Sequence, residues 1–125
     1  MKIPKPLMER RRSVRIAEGL PFTIGHRDYE SELVMAVNIS AHGVLCLVER
    51  GFPLMTQLKV TLSLPDAHKK GLRSPQVISM KGVVVRKEKI TSGKNYLLAI
   101  YFSDIKPRDQ HFLEKFIEGR LSANA

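Results

Sequence analysis

The sequence has no tryptophan, few other aromatic residues and one cysteine. Aromatic residues make up 6% of the 125 residues, a small share for a surface that stacks nucleic-acid bases. Cys46 has no partner for an internal disulfide. It lies in the apolar run 44–48, so we expect a buried side chain that acts as a small hydrophobe, in a protein of the reducing cytoplasm. No apolar run approaches the roughly 20 residues of a membrane span, so we predict none.

The sequence also lacks the groupings that carry catalysis. The histidines are scattered and none pairs with another ligand at metal-binding spacing: His26, His42, His68 and His111. No glycine-rich phosphate loop follows a strand and opens a helix, and no nucleophile has an identifiable base. We therefore predict a protein that is not an enzyme and that uses neither a metal nor a cofactor.

Acidic residues are outnumbered, with 12 Asp and Glu against 21 Lys and Arg, for a net charge of +9. The first 15 residues hold six basic side chains against Glu9, a net charge of +5. Pro4 and Pro6 disfavour a helix there. We predict a basic N-terminal arm over residues 1–15 and one folded domain over residues 16–125. Such an arm implies an anionic partner, which can be a phosphate ligand, a nucleic acid or a membrane surface.

The rest of the chain contains six strand-like stretches, of which 57–64 alternates apolar and polar residues. We predict strands over 20–24, 32–40, 44–48, 57–64, 77–88 and 96–102, with a solvent loop at 66–75 and a hairpin turn at 90–94. A helix is predicted over 107–121, with one apolar stripe formed by Phe112, Leu113, Phe116, Ile117 and Leu121. Asp104 or Ser103 is a candidate cap for this helix. Because closure protects sheet edges, the pattern predicts a mainly β fold, a small six-stranded antiparallel β-barrel with a C-terminal α-helix.

The arm contains an arginine cluster that includes Arg10, Arg11 and Arg15. Guanidinium groups present planar sets of donors that match phosphate oxygens and also the O6 and N7 acceptors of guanine. Arg11 and Arg15 are four residues apart, so both can address one ligand in either a helix or a strand. Taken alone, the cluster is more typical of a solvated basic tail or of a non-specific contact with a polyanion.

A second polar motif ends the predicted strand 32–40. Asn38 and Ser40 share parity and are expected to project from one face, which leaves Val37 and Ile39 free to face the core. The amide of Asn38 is complementary to a guanine edge, and the Ser40 hydroxyl can bind a phosphate or a backbone group. Gly43 permits a positive φ or a close backbone approach. Alone, this motif predicts a strand-ending turn; with the arginines, it indicates a site for a dianionic guanine nucleotide.

In this order, Arg-Arg-x-x-x-Arg and Asn-x-Ser-x-x-Gly resemble the signature of the PilZ domain family, bacterial receptors for cyclic di-GMP. The resemblance covers nearly the whole chain, including segments 80–86 and 96–102, and it implies the barrel and the C-terminal helix predicted above. It implies that one set of residues grips the phosphates and guanine and a second set holds the other side of the ligand: Arg10, Arg11 and Arg15 in the first, Asn38, Ser40 and Gly43 in the second.

The chain departs from the family pattern at two positions. Aspartate is frequent where Asn38 stands, and asparagine loses a charge-assisted bond. Glycine is common where Ala99 stands, which we expect to matter only for packing. Arg12 and His42 fall in the spacers of the two motifs, and the resemblance assigns them no role.

The resemblance implies a receptor that relays the level of cyclic di-GMP to an unidentified downstream protein. The unliganded arm is expected to be mobile, and the two negative charges of the ligand would then dock it on the barrel. Two alternatives belong to other classes. The charge of +9 favours a nucleic-acid-binding barrel of the OB type, whereas the scarcity of aromatic residues makes nucleic acid a disfavoured partner. The second alternative is a PilZ-like protein–protein adaptor that does not bind the ligand. The intact arginines, Asn38 and Ser40 argue against it.

Overall fold

The computed structural model describes residues 15–17, 19–64, 76–90 and 95–123. Its elements are β1 (Pro21–His26), β2 (Tyr29–Ile39), β3 (Gly43–Val48), β4 (Gln57–Leu64), β5 (Gln76–Lys89), β6 (Tyr96–Ile105) and α1 (Pro107–Ala123). The strands close into a barrel in the order β1-β2-β3-β6-β5-β4, and every neighbouring pair is antiparallel. The predicted six-stranded antiparallel barrel with a C-terminal helix is confirmed. The predicted loop at 66–75, most of the turn at 90–94 and residues 1–14 of the arm lie outside the described residues.

Strict alternation builds the barrel interior. In β4, every second side chain is buried, namely Leu58, Val60, Leu62 and Leu64, while the residues between them face outwards. Branched and apolar side chains suit the pleated wall of a strand, and each one fully buried contributes about 1.5–3 kcal/mol. Because this period is local, the sequence alone predicts the bounds of β4.

Cys46 lies in β3 and is fully buried in this core. Burial, together with the smaller effect of the Glu32 charge, raises the pKa of the thiol to about 12. The thiol is therefore protonated at neutral pH, as expected of a cysteine that acts as a hydrophobe.

The helix α1 covers the barrel with Leu113, Phe116 and Ile117, all buried. The predicted stripe is wrong at its last position, because Leu121 is 37% exposed. Of the two candidate caps, Ser103 does not act as one: its hydroxyl donates to the carbonyl of Lys81 in β5 at 3.3 Å. No helix within the described residues is long and apolar enough to cross a membrane.

The strand β2 contains an irregularity just before the polar motif. Its pairing with β3 shifts register between Ala36 and Asn38, as in a β-bulge, which adds one residue and redirects the side chains that follow. The expectation that Val37 faces the core is wrong: Val37 continues the outward face of Leu33 and Met35 and is 40% exposed, and the shift turns Ile39 inward. The shift lies directly before Asn38, so the chain changes direction where the site begins.

Candidate functional site

A short bridge fixes the start of the described chain to the end of β2. The amide of Ile16 donates to the Ile39 carbonyl at 2.9 Å, and the amide of Ile39 donates to the Ile16 carbonyl at 3.1 Å. The Ile16 side chain is buried, so this contact is also held by the core. Ile16 and Ile39 are buried, so their neighbours Arg15 and Asn38 face outwards on the same side of this antiparallel bridge, and the long Arg15 side chain reaches Asn38 diagonally across it.

Arg15 and Asn38 form the central contact of the site. The Arg15 Nη1 donates to the Asn38 Oδ1 at 2.8 Å, and the two residues are 23 positions apart in sequence. A guanidinium donor makes this bond stronger than one between neutral groups. Asn38 orients the arginine without adding a negative charge, so the pair keeps the positive charge that an anionic ligand requires.

Ser40 holds the turn that follows β2. Its side chain is fully buried; its Oγ donates to the Gly43 carbonyl at 3.4 Å and accepts from the His42 amide at 3.2 Å. The prediction that Ser40 projects beside Asn38 is therefore wrong. The strand β2 ends at Ile39, so strand parity no longer applies at Ser40. Of the two partners considered for the hydroxyl, the structure shows the backbone.

The same turn is anchored by β6 and α1. The amide of Phe102 donates to the His42 carbonyl at 2.8 Å, and the Gln110 Nε2 of α1 donates to the Ala41 carbonyl at 3.3 Å. Carbonyl groups of the turn are thus bonded to two separate elements of the fold. The turn is fixed before any ligand arrives, which lowers the entropic cost of binding.

Gly43 is required by a close approach of β3 to β6. A Cβ built on Gly43 would lie 2.6 Å from the Ile100 carbonyl oxygen and 3.6 Å from the Cα of Tyr101. The first distance is shorter than real Cβ contacts. Of the two reasons considered for this glycine, close backbone approach applies.

A small recess of about 20 Å³ lies beside the Arg15–Asn38 pair. It is bordered by Arg15 and the turn, and by Val85, Ala99, Ile100 and Tyr101 of β5 and β6. Ala99 therefore contributes to the surface of the site, whereas only a packing role was expected for it. Val85 and Tyr101 were not predicted. The sequence indicates only that both residues lie in predicted strands. Their position beside the site depends on strand pairing, such as that of Gly43 with Tyr101, which joins distant parts of the sequence.

The predicted site residues are partly brought together. Arg15, Ser40 and Gly43 border the recess together with His42, and Asn38 bonds to Arg15. Arg10 and Arg11, like Arg12, lie outside the described residues. Within the described part of the chain, no group of three or more His, Cys, Asp or Glu side chains is arranged to hold a metal ion.

The closed barrel, the terminal helix and the arginine held at a strand end define a small β-barrel domain with a polar site on its outer wall. A sequence model of the PilZ domain matches residues 9–119 of the chain. The chain therefore belongs to the PilZ domain family. The matched range includes both polar motifs. A comparison with curated protein sequences finds no match.

Solved structures share the fold. The Bacillus subtilis inhibitor of motility, MotI/DgrA, matches with a TM-score of 0.73 and 20% identity over 100% of this chain and 55% of its own. The complex of K. pneumonia MrkH with c-di-GMP matches with a TM-score of 0.71 and 20% identity over 92% of this chain and 54% of its own. The PilZ domain of Escherichia coli YcgR with c-di-GMP has a TM-score of 0.59 and 18% identity, over 92% of this chain and 98% of its own. The chain thus spans about half the length of MotI/DgrA and MrkH.

Proposed function

We propose that the protein is a receptor for cyclic di-GMP. The observation that carries the proposal is the hydrogen bond of 2.8 Å from Arg15 to Asn38, because it joins the arginine motif to the strand-end motif at one place on the barrel wall. Membership of the PilZ domain family supports it. The structures of MrkH and of the YcgR PilZ domain, both with c-di-GMP, support the choice of ligand.

The described residues divide into contact and support roles. Arg15 offers guanidinium donors to phosphate oxygens or to the O6 and N7 of guanine, and Asn38 orients it and offers amide donors and acceptors to a base edge. Ser40 and Gly43 act through the turn, one by bonding it internally and the other by letting β3 approach β6. No described residue in this set provides a nucleophile with a base, so the role is binding rather than catalysis.

The barrel wall supplies only one side of this site. The recess of about 20 Å³ is far smaller than the roughly 300–1,000 Å³ of ordinary ligand pockets, so a dinucleotide would lie across the wall rather than inside it. Residues 1–14, which carry Arg10 and Arg11, supply the other side. The two negative charges of the ligand neutralise these arginines and fix the arm on the barrel. The surface shown to a downstream protein then changes.

Calorimetric titration with cyclic di-GMP tests the site. Arg15→Ala removes charge-assisted hydrogen bonds of about 1.5–3 kcal/mol, so we expect affinity to fall by a factor on the order of 10 to 100. Arg27→Ala is the matched control, because it removes an exposed arginine from the turn between β1 and β2. Absence of binding by the wild type at tens of micromolar ligand in low salt would refute the proposal. Equal losses in both variants would show a general charge effect instead of a site.

Hydrogen exchange of residues 1–14 tests the arm separately. Saturating cyclic di-GMP should slow exchange in this segment in the wild type, and Asn38→Ala, titrated to the same ligand concentration, should show less slowing. Unchanged exchange in a wild-type protein that binds the ligand would contradict the docking of the arm and leave the receptor role in place. A single-stranded oligonucleotide that displaces the ligand at similar concentration would favour the nucleic-acid-binding alternative.

A further inference from the structure

A cavity of about 740 Å³ opens on the side of the barrel formed by β1, β4 and β5. Its walls are the turn after β1, the segment that precedes β4, the middle of β5 and the end of β6. It shares no lining residue with the recess beside Arg15. Its volume falls in the range of binding pockets, and neither polar motif of the sequence contributes to it.

A row of residues across four strands gives this cavity its charge. Lys59 of β4 lies directly opposite Lys81 of β5, while Gly25 of β1 pairs with Lys59 and Asp104 of β6 pairs with Lys81. Like charges directly opposite each other in a sheet are destabilising. Among the described residues, no carboxylate lies within 4.0 Å of the amino group of either lysine.

Two further cations extend the positive rim. Arg27 and Lys106 line the same cavity and are exposed, and Asp104 is its only carboxylate among the described lining residues. The side chain missing at Gly25 leaves room beside Lys59. The rim therefore carries four positive charges against one negative charge, an arrangement complementary to an acidic partner.

The floor and one edge of the cavity are apolar. Leu58 and Met80 are buried beneath it, whereas Met55 is 71% exposed at its edge. Met55 has a φ of 71°, a strained conformation for a residue with a side chain. The backbone holds it there, because its amide donates to the Val84 carbonyl at 2.7 Å. Methionine side chains adapt to varied apolar groups, so the cavity joins an adaptable apolar centre to a charged rim.

We propose that this cavity docks an acidic segment of a partner protein. An apolar side chain of the segment lies between Met55 and Met80, and flanking carboxylates meet Lys59, Lys81 and Lys106. An apolar centre with a charged rim is the usual arrangement of protein interfaces. A small phosphate fits less well, because the cations lie on exposed side chains around the opening while the floor is apolar. Carboxylates spaced along an extended chain match cations that are spread over several strands.

Fluorescence anisotropy with defined peptides tests this docking on the full chain. The probe is a short fluorescein-labelled peptide in which aspartates and glutamates flank one leucine. One control peptide carries serine in place of the leucine, and a second carries asparagine and glutamine in place of the acids. We expect saturable binding of the acidic leucine peptide, and at least about tenfold weaker binding of each control.

Charge reversal locates the binding. The Lys59→Glu/Lys81→Glu variant should bind the peptide at least about tenfold more weakly, while Lys89→Glu/Lys115→Glu, with the same change in net charge on exposed positions elsewhere, should lose less than about threefold. Affinity for cyclic di-GMP should stay the same in both. Met55→Gly is a second variant, because glycine accepts the positive φ; it should fold normally and weaken the peptide at least severalfold.

Several results would overturn the proposal. These are absence of saturable peptide binding at low salt, equal losses in the two charge-reversal variants, and equal binding of the serine peptide. Tripolyphosphate that binds at Lys59 and Lys81 more tightly than the peptide would assign the cavity to a small anion instead. If the double reversal fails to fold, wild-type peptide affinity in Met55→Gly decides against the proposal.

Discussion

Replacing Gly43 with alanine perturbs the contact on which the site is built. The added Cβ would lie 2.6 Å from the Ile100 carbonyl oxygen, below the 3.0 Å that real Cβ atoms essentially never show. The obstacle is backbone in a paired strand, so it cannot rotate away as the end of a side chain could. To reach even that limit, β3 and β6 must separate by about 0.4 Å at the pairing of Gly43 with Tyr101.

The expected cost follows from this overlap. Inserting one carbon atom into a well-packed region costs about 1–3 kcal/mol, so Gly43→Ala should lower the free energy of unfolding by that amount in a urea titration. Gly119→Ala is the matched control, because no atom lies within 4 Å of its added Cβ. Gly119 lies inside α1, where alanine is better than glycine by about 0.5–1 kcal/mol, so this variant should be more stable than the wild type.

The two substitutions should therefore have opposite signs. A Gly43→Ala protein as stable as the wild type, alongside a stabilised Gly119→Ala protein, would refute the close approach of β3 to β6. A destabilised Gly43→Ala protein that still binds cyclic di-GMP with wild-type affinity would refute the link between this approach and the site.

Three further changes probe the turn and the core. Ser40→Ala leaves the His42 amide without its hydroxyl partner, so the free energy of unfolding measured in urea should fall by about 1–3 kcal/mol. An unchanged urea midpoint would show that Ser40 does not stabilise the turn. Gln110→Ala removes the bond from α1 to the Ala41 carbonyl and should cost about 0.5–1.5 kcal/mol, together with a several-fold loss of ligand affinity; wild-type values for both would show that α1 does not support the turn. Burial raises the pKa of Cys46 from 9.0 to about 12, so the folded state holds the proton more tightly. Between pH 9 and 12 the wild type should lose about 1.4 kcal/mol of stability per pH unit relative to Cys46→Ala, and parallel pH curves for the two proteins would argue against a buried thiol.

The fold follows from local patterns to a large extent. The alternation in β4 and the apolar stripe through Leu113, Phe116 and Ile117 are short-range periods, and both predict the elements that the structure shows. The errors arise where contacts between distant parts of the chain decide whether a side chain is buried. The register shift before Asn38 depends on pairing with β3, so no count along β2 could show that Val37 and Ile39 face opposite sides of the sheet. Leu121 fits the helical period, yet its side chain is 37% exposed.

The candidate site, too, is predicted from the sequence only in part. The residue types of Arg15 and Asn38 and their order along the chain indicate the site, and their roles towards a ligand stay predictions. Their contact depends on the bridge between Ile16 and Ile39, which two isolated isoleucines do not reveal. Likewise, Lys59 lies opposite Lys81 because of the register between β4 and β5, which cannot be predicted from the charges along the sequence.

In the proposed receptor, Arg15 and Asn38 act as one unit that binds cyclic di-GMP. A double-mutant cycle by calorimetry tests it most directly, with the wild type, Arg15→Ala, Asn38→Ala and the double variant titrated under the same low-salt conditions. We expect saturable binding by the wild type, weaker binding by each single variant, and a loss in the double variant clearly smaller than the sum of the two single losses in free energy. Absence of binding by the wild type, or losses that add within error, would contradict it.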